Sequence, residues 1–199
     1  FYGATIICLD DEENQNLIPK LKRRFVTYGL NKQAHIRAQV LKQEGRVTHF
    51  RVFRENEVLG DASIAVPGVH NVVNALAAIA VGLECEVGFE KIVRGLKEFS
   101  GIERRFQHRG ELQLPEAINT GLVKPQSVLL LDDSAHHPRE IVATLNACKD
   151  AYPNRRLIVV FQPHRYSRLM DLFGQFATSF FQADVLLLLS VYPAGEDPL

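Results

Sequence analysis

Leu157-Ile-Val-Val-Phe-Gln-Pro-His-Arg-Tyr-Ser-Arg168 runs from an apolar strand into a polar cluster and then into an amphipathic stretch. Its apolar half is continuous rather than alternating, the pattern of a strand buried on both faces of a parallel sheet. Val128-Leu-Leu-Leu131 and Val185-Leu-Leu-Leu-Leu189 repeat it, and stretches with helical periodicity at 138–151 and 167–182 separate the three runs. The order is βαβαβ, which predicts a Rossmann-like unit with a mostly parallel sheet. Ligands of such sheets bind beyond the carboxyl ends of the strands. At those ends stand Asp132-Asp-Ser-Ala-His-His137, Gln162-Pro-His-Arg-Tyr-Ser-Arg168 and Tyr192-Pro-Ala-Gly-Glu196, so one rim of the sheet collects the polar groups.

Upstream the pattern differs. Extended stretches at 4–9 and 24–29 flank an acidic turn, Asp10-Asp-Glu-Glu-Asn14. Alternating runs at 36–41, 47–53 and 58–66 are split by Glu44-Gly45 and Glu55-Asn56, the spacing of antiparallel hairpins. After Pro67-Gly68 the period becomes helical, with Val72, Leu76, Ile79 and Ala80 on one stripe. A second helix is predicted over 89–99, with Ile92, Val93, Leu96 and Phe99 on one face and Ser100-Gly101 ending it. Gly101-Ile-Glu-Arg-Arg-Phe106 then reads as a linker, placing two units at 1–104 and 105–199. The predicted class is α/β: antiparallel strands and helices, followed by the βαβαβ unit.

With 199 residues, the chain has room for one or two domains and a sizeable core. Apolar residues at 46% and charged residues at 23% are ordinary globular values. No stretch approaches the roughly 18–20 uncharged apolar residues of a membrane span. Lys plus Arg equals Asp plus Glu at 23 each, so net charge creates no field that would favour nucleic acid or an anionic membrane. Cys8, Cys85 and Cys148 lie far apart and read as reduced core thiols. The absence of a basic segment followed by an apolar one near the start fits a cytoplasmic protein. Phe1-Tyr2-Gly3 enters a strand at once and Asp197-Pro-Leu199 stops without a closing helix, so a piece of a longer protein is expected. Residues 112–126 read as a surface insertion.

Four clusters carry chemistry. Arg165 and Arg168 sit at a strand-to-helix junction beside His164. Guanidinium forks bind carboxylate or phosphate at two points, so an anionic ligand is implied, the alternative being a solvated helix start. In Asp132 to His137, a carboxylate can accept from sugar hydroxyls, or acids and histidines can hold a metal, or the acids can form a turn before a helix that Pro138 starts. Adjacent residues on extended backbone point opposite ways, so Asp132 and Asp133 are not expected to act as a pair. Asn71 and Asn74 share a helix face and present the paired donor and acceptor an adenine edge requires, although an Asn near a helix start also serves as a cap. Arg104-Arg105 lies in the linker, where a guanidinium can reach a phosphate held between domains or simply face water.

Taken together, His70-Asn-Val-Val-Asn-Ala-Leu-Ala-Ala78, Gly101-Ile-Glu-Arg-Arg-Phe106, Asp132-Asp-Ser-Ala-His-His-Pro138, Phe161-Gln-Pro-His-Arg-Tyr-Ser-Arg168 and Tyr192-Pro-Ala-Gly-Glu196 resemble the Mur ligases. The resemblance covers essentially the whole chain, as the later part of an ATP-binding central domain and the first part of a C-terminal domain. It implies a cytoplasmic step of peptidoglycan synthesis in which ATP and Mg²⁺ drive L-alanine onto the lactyl carboxylate of UDP-N-acetylmuramate. By this resemblance Asn74 meets adenine with Asn71 beside it, Asp133 meets ribose, and Arg105 approaches the phosphates. His164, Arg165 and Arg168 resemble the alanine-side cluster, with the arginines on the amino acid carboxylate and His136 flanking the pocket; Arg105 and His164 are the candidate catalytic residues. Ser134 departs from the tyrosine usual after the paired aspartates. A Gly-Lys-Thr phosphate loop is absent and the family's magnesium ligands fall upstream of Phe1, so no metal site is assigned and the 199 residues alone are not expected to catalyse the reaction.

Competing readings are a recycling ligase that joins a murein tripeptide to the same sugar nucleotide, a noncatalytic nucleotide-binding remnant, and a metal-dependent hydrolase built from Asp132, Asp133, His136, His137 and His164.

Overall fold

Alternate positions of three neighbouring strands point the same way: Ile36 and Ala38, Thr48, Phe50 and Val52, and Ala62 and Ile64 are all buried. These strands, β3 (Ile36–Glu44), β4 (Val47–Arg54) and β5 (Glu57–Ile64), form an antiparallel meander. The turns fall at the predicted breaks, and Gly45 takes the left-handed conformation (φ 57°) that a tight turn needs. Helix α2 (Val69–Glu84) lays its predicted stripe, Val72, Leu76, Ile79 and Ala80, on this face, and α3 (Phe89–Glu98) adds Phe89, Ile92, Val93 and Leu96. Phe99 lies just past α3 and is exposed rather than on its apolar face.

Two further strands, β1 (Thr5–Cys8) and β2 (Phe25–Gly29), extend the sheet beyond β3, in the order β1-β2-β3-β4-β5. Both join it in parallel, which makes the sheet mixed; the sequence pattern assigns these two stretches no orientation. The segment between them is not a simple acidic turn: Asp11 accepts from the Asn14 amide at 3.1 Å and starts the short helix α1 (Glu12–Leu17). The computed structural model describes residues 3–113 and 127–197; most of the insertion expected at 112–126 lies outside them.

The second half begins with β6 (Gln107–Gln113), which pairs antiparallel with β7 (Ser127–Asp132). Helix α4 (Pro138–Ala151) follows, then β8 (Ile158–Phe161) and β9 (Val185–Leu188), paired in parallel. The predicted α/β order and its parallel β8–β9 pair are present, but the described strands form two pairs rather than one three-stranded parallel sheet. The helix predicted over 167–182 is broken into α5 (Tyr166–Asp171) and α6 (Phe173–Thr178), because Leu172 (φ −116°, ψ 18°) leaves helical geometry.

Ile141 and Leu145 of α4 and Phe176 of α6 pack with Val159, Phe161 and Leu186. Val128, Leu130, Ile158, Val160 and Leu188 are exposed, where strands buried on both faces were expected; Ile158 and Val160 alternate with Val159 and Phe161 and so lie on the face that α4 and α6 do not cover.

The halves meet at a small apolar cluster of Val66, Phe106, Ala147 and Cys148. Arg104 and Phe106 both take positive φ (57° and 47°), bending the chain there. All three cysteines are free; Cys148 is buried, but Cys85 at the end of α2 is exposed rather than a core thiol. Among the described residues no helix is long and apolar enough to cross a membrane.

Candidate functional site

Helix α2 starts where the halves touch. Gly68, its N-cap, has φ 101°, and a Cβ there would meet the Ala147 side chain of α4 at 2.9 Å and the His70 ring at 2.7 Å. Only glycine allows so close an approach. His70 is partly buried beside Asp133 and Arg105: burial pushes its imidazole down, Asp133 opposes this and Arg105 adds to it. The Asn71 side-chain amide donates to the Pro67 carbonyl at 2.8 Å and Asn74 donates to the Asn71 oxygen at 3.3 Å; neither is a cap, since the N-cap Gly68 receives no side-chain bond. The two amides share a face as their spacing predicts, with Asn74 exposed.

Asp133 ties the linker to the end of β7. One carboxylate oxygen accepts from the Phe106 amide at 2.7 Å and the other from the Ala135 amide at 2.7 Å. A carboxylate has about four acceptor positions, so capacity for a sugar hydroxyl remains. Asp132 points elsewhere, to Arg109 of β6 at 2.8 Å, as extended backbone requires. Arg105 reaches Glu140 in the first turn of α4 at 3.2 Å.

Glu140 also accepts from the His136 and His137 amides at 3.0 and 3.1 Å. With His137 as N-cap and Pro138 at the first position, this is a capping box. Burial pushes the Glu140 carboxyl up, but the His136 amide, the Arg105 guanidinium and the His137 amide together hold it below the usual carboxylate range.

On the rim, the His136 ring lies 6.0 Å from that of His164, which lies 5.4 Å from the Tyr192 ring. Arg168 donates to the His164 carbonyl at 3.2 Å and stands 3.4 Å from its Nδ1. Helix α5 starts between Arg165 and Arg168, as convergence of the pair needed, but the two guanidinium groups face different neighbours: Arg165 approaches Glu196 at 4.0 Å.

His70, Arg105, Asp133, His136, His164 and Arg168 fall along one polar seam, with Asn71 and Asn74 following His70 in α2. His70 lies beside Asp133 and Arg105, Arg105 meets Glu140, Glu140 meets His136, and His136 leads to His164 and Arg168. One end carries two side-chain amides and a carboxylate; the other carries two guanidinium groups set on different neighbours.

The hydrolase reading finds no convergent donor set. Asp132 pairs with Arg109, Asp133 is held by two backbone amides, and His137 caps α4. Among the described residues no group of three or more His, Cys, Asp or Glu side chains is placed to hold a metal. Sequence reading missed Glu140, although His137-Pro-Arg-Glu140 carries a capping-box spacing, and it gave Glu196 no role. An open groove of about 740 Å³ between the start of α2, α4 and α6 holds none of His136, His164, Arg165 or Arg168, so it is not the rim site.

Two domain families match: the Mur ligase middle domain over residues 1–82 and the Mur ligase glutamate ligase domain over residues 120–199. The chain belongs to the Mur ligase family. It is 46% identical across its whole length to the UDP-N-acetylmuramate--L-alanine ligase of Geobacter sulfurreducens and 46% identical to that of Desulfotalea psychrophila, spanning 40% of each. The crystal structure of UDP-N-acetylmuramate-alanine ligase from Thermotoga maritima superposes with a TM-score of 0.67 at 29% identity, over 84% of this chain and 34% of that one.

Proposed function

We propose that the chain is the later part of the ATP-binding middle domain, to residue 104, and the first part of the C-terminal domain of a cytoplasmic ligase joining L-alanine to UDP-N-acetylmuramate. The observation that carries this reading is the seam running from the α2 amides across the linker to the arginines of α5, considered with whole-length identity to ligases so named.

A carboxylate is a poor acceptor for an amine because an oxide must leave. Transfer of the ATP γ-phosphoryl group converts the lactyl carboxylate into an acyl phosphate, which the amine attacks through a tetrahedral intermediate. Positioning and charge neutralisation carry such chemistry. Asn71 and Asn74 take the adenine edge, Asp133 takes a ribose hydroxyl and Arg105 leaves Glu140 for the phosphates. His136 and His164 wall the amino acid pocket, and Arg165 and Arg168 hold its carboxylate, turning the amine towards the acyl phosphate. Mg²⁺, expected on residues outside this chain, would neutralise phosphate charge; the residues here bind and orient.

The test is phosphate release by the full-length protein with UDP-N-acetylmuramate, comparing L-alanine, L-serine and glycine. L-alanine should be strongly preferred. Arg168→Ala, which loses charge-assisted bonds of about 1.5–3 kcal/mol, should raise the KM for L-alanine about 10- to 150-fold with little change for ATP. Equal effects on both substrates would remove the arginine from the amino acid pocket.

A further inference from the structure

The Tyr192-Pro-Ala-Gly-Glu196 loop binds nothing in the reading above, yet His164, Arg165 and Ser167 at the arginine end of the seam all lean on it. Arg165 holds a left-handed backbone (φ 74°) that a non-glycine residue keeps only when its surroundings impose it. The loop supplies that imposition. The Arg165 amide donates to the Tyr192 carbonyl at 2.9 Å, the Tyr192 amide donates to the Pro163 carbonyl at 2.8 Å, and the Tyr192 ring lies against His164. The next turn is α5, six residues long, with no side-chain cap of its own at Arg165. So short a helix does not hold itself in water. Its cap comes from across the chain: Glu196 accepts from the Ser167 amide at 3.0 Å and from the Ser167 hydroxyl at 2.6 Å. The Glu196 carboxyl is held below its usual range, first by the Ser167 hydroxyl and then by the Ser167 amide, consistent with an ionised cap.

We infer that Glu196 is a positioning residue for the amino acid pocket. By capping α5 in trans and standing 4.0 Å from Arg165, it fixes where Arg165 and Arg168 present their guanidinium groups to a substrate carboxylate. The inference rests on the ligase reading. It assigns Glu196 no contact with substrate and no proton to move. Because it acts on the carboxylate grip and not on the nucleotide end of the seam, its loss splits the two substrates.

Steady-state kinetics of the full-length protein test it. Glu196→Ala should raise the KM for L-alanine by about tenfold or more, as a misplaced binding group does, and leave the KM for ATP within about twofold. Glu196→Gln keeps one acceptor for Ser167 and should recover much of that loss, while Ser167→Ala, which keeps the backbone bond, should lose less than Glu196→Ala. An unchanged KM for L-alanine in Glu196→Ala overturns the inference. So does a parallel rise for both substrates with a lowered melting temperature, which marks a merely structural side chain. A wild-type protein whose phosphate release ignores L-alanine overturns the ligase reading and this inference with it; one that requires L-alanine while Glu196→Ala behaves as wild type overturns the inference alone.

Discussion

Asp133→Ala should be among the more damaging single changes at the junction of the halves. The carboxylate accepts from the amides of Phe106 and Ala135, both at 2.7 Å, and Phe106 is buried at 4% exposure in the cluster with Val66, Ala147 and Cys148. Hydrogen bonds to a charged group are each worth about 1.5–3 kcal/mol. Water can replace part of the Ala135 bond once the side chain is gone, so the pair should be worth about 3–4 kcal/mol. For a chain of this size each kcal/mol moves the melting temperature about 2–4 °C, so Asp133→Ala should melt about 6–15 °C lower. Asp133→Asn retains one carbonyl acceptor but turns an amide donor towards the other backbone N–H, and about half that loss is expected. Thermal unfolding followed by circular dichroism measures both. A fall of less than about 3 °C in Asp133→Ala would refute the claim that this carboxylate splices the linker to β7.

Asn74→Ala removes an exposed amide and should weaken ATP binding by about 1 kcal/mol, about fivefold; unchanged affinity in a nucleotide titration would take Asn74 out of the adenine contact. Burial holds His70 below the ordinary imidazole value of 6.5, so the folded state binds fewer protons there than the unfolded chain and stability should fall as the pH drops below that value. His70→Gln should flatten this limb in urea midpoints measured from about pH 7 to about pH 5, and an unaltered slope would show that His70 does not cause it. Burial, with Asp133 adding to it, pushes the Cys148 thiol up to about 12, whereas Cys85 is exposed. Iodoacetamide on the native protein should label Cys85 and spare Cys148, and peptide mapping that finds both modified at similar rates would contradict the burial.

What the sequence reveals depends on where the information for each element resides. Helix α4 begins at Pro138, as read, because the proline and the capping residues around it are local signals. The α2 stripe is legible for the same reason, since periodicity reports burial directly. Strand β6 escapes because Gln107-His-Arg-Gly-Glu-Leu-Gln113 has no apolar alternation; its pairing with β7 comes from backbone hydrogen bonds that any side chains permit. The parallel joining of β1 and β2 to β3 is likewise a non-local choice. Along the seam, polar residues are legible and their partners are not. Arg105 and Asp133 are easily picked out as polar groups near a junction, but their neighbours Glu140 and the Phe106 amide become visible only once the chain has folded back on itself.

The positive φ values at Arg104 and Phe106 have a consequence for how the halves respond to salt. Exposed pairs such as Arg139 with Asp11 and Arg105 with Glu140 weaken as ionic strength rises, because dissolved ions screen them. The Phe106 torsion, seated in an apolar cluster, carries no charge to screen. Brine should therefore loosen the clasps at the edges of this elbow while its crook stays as folded.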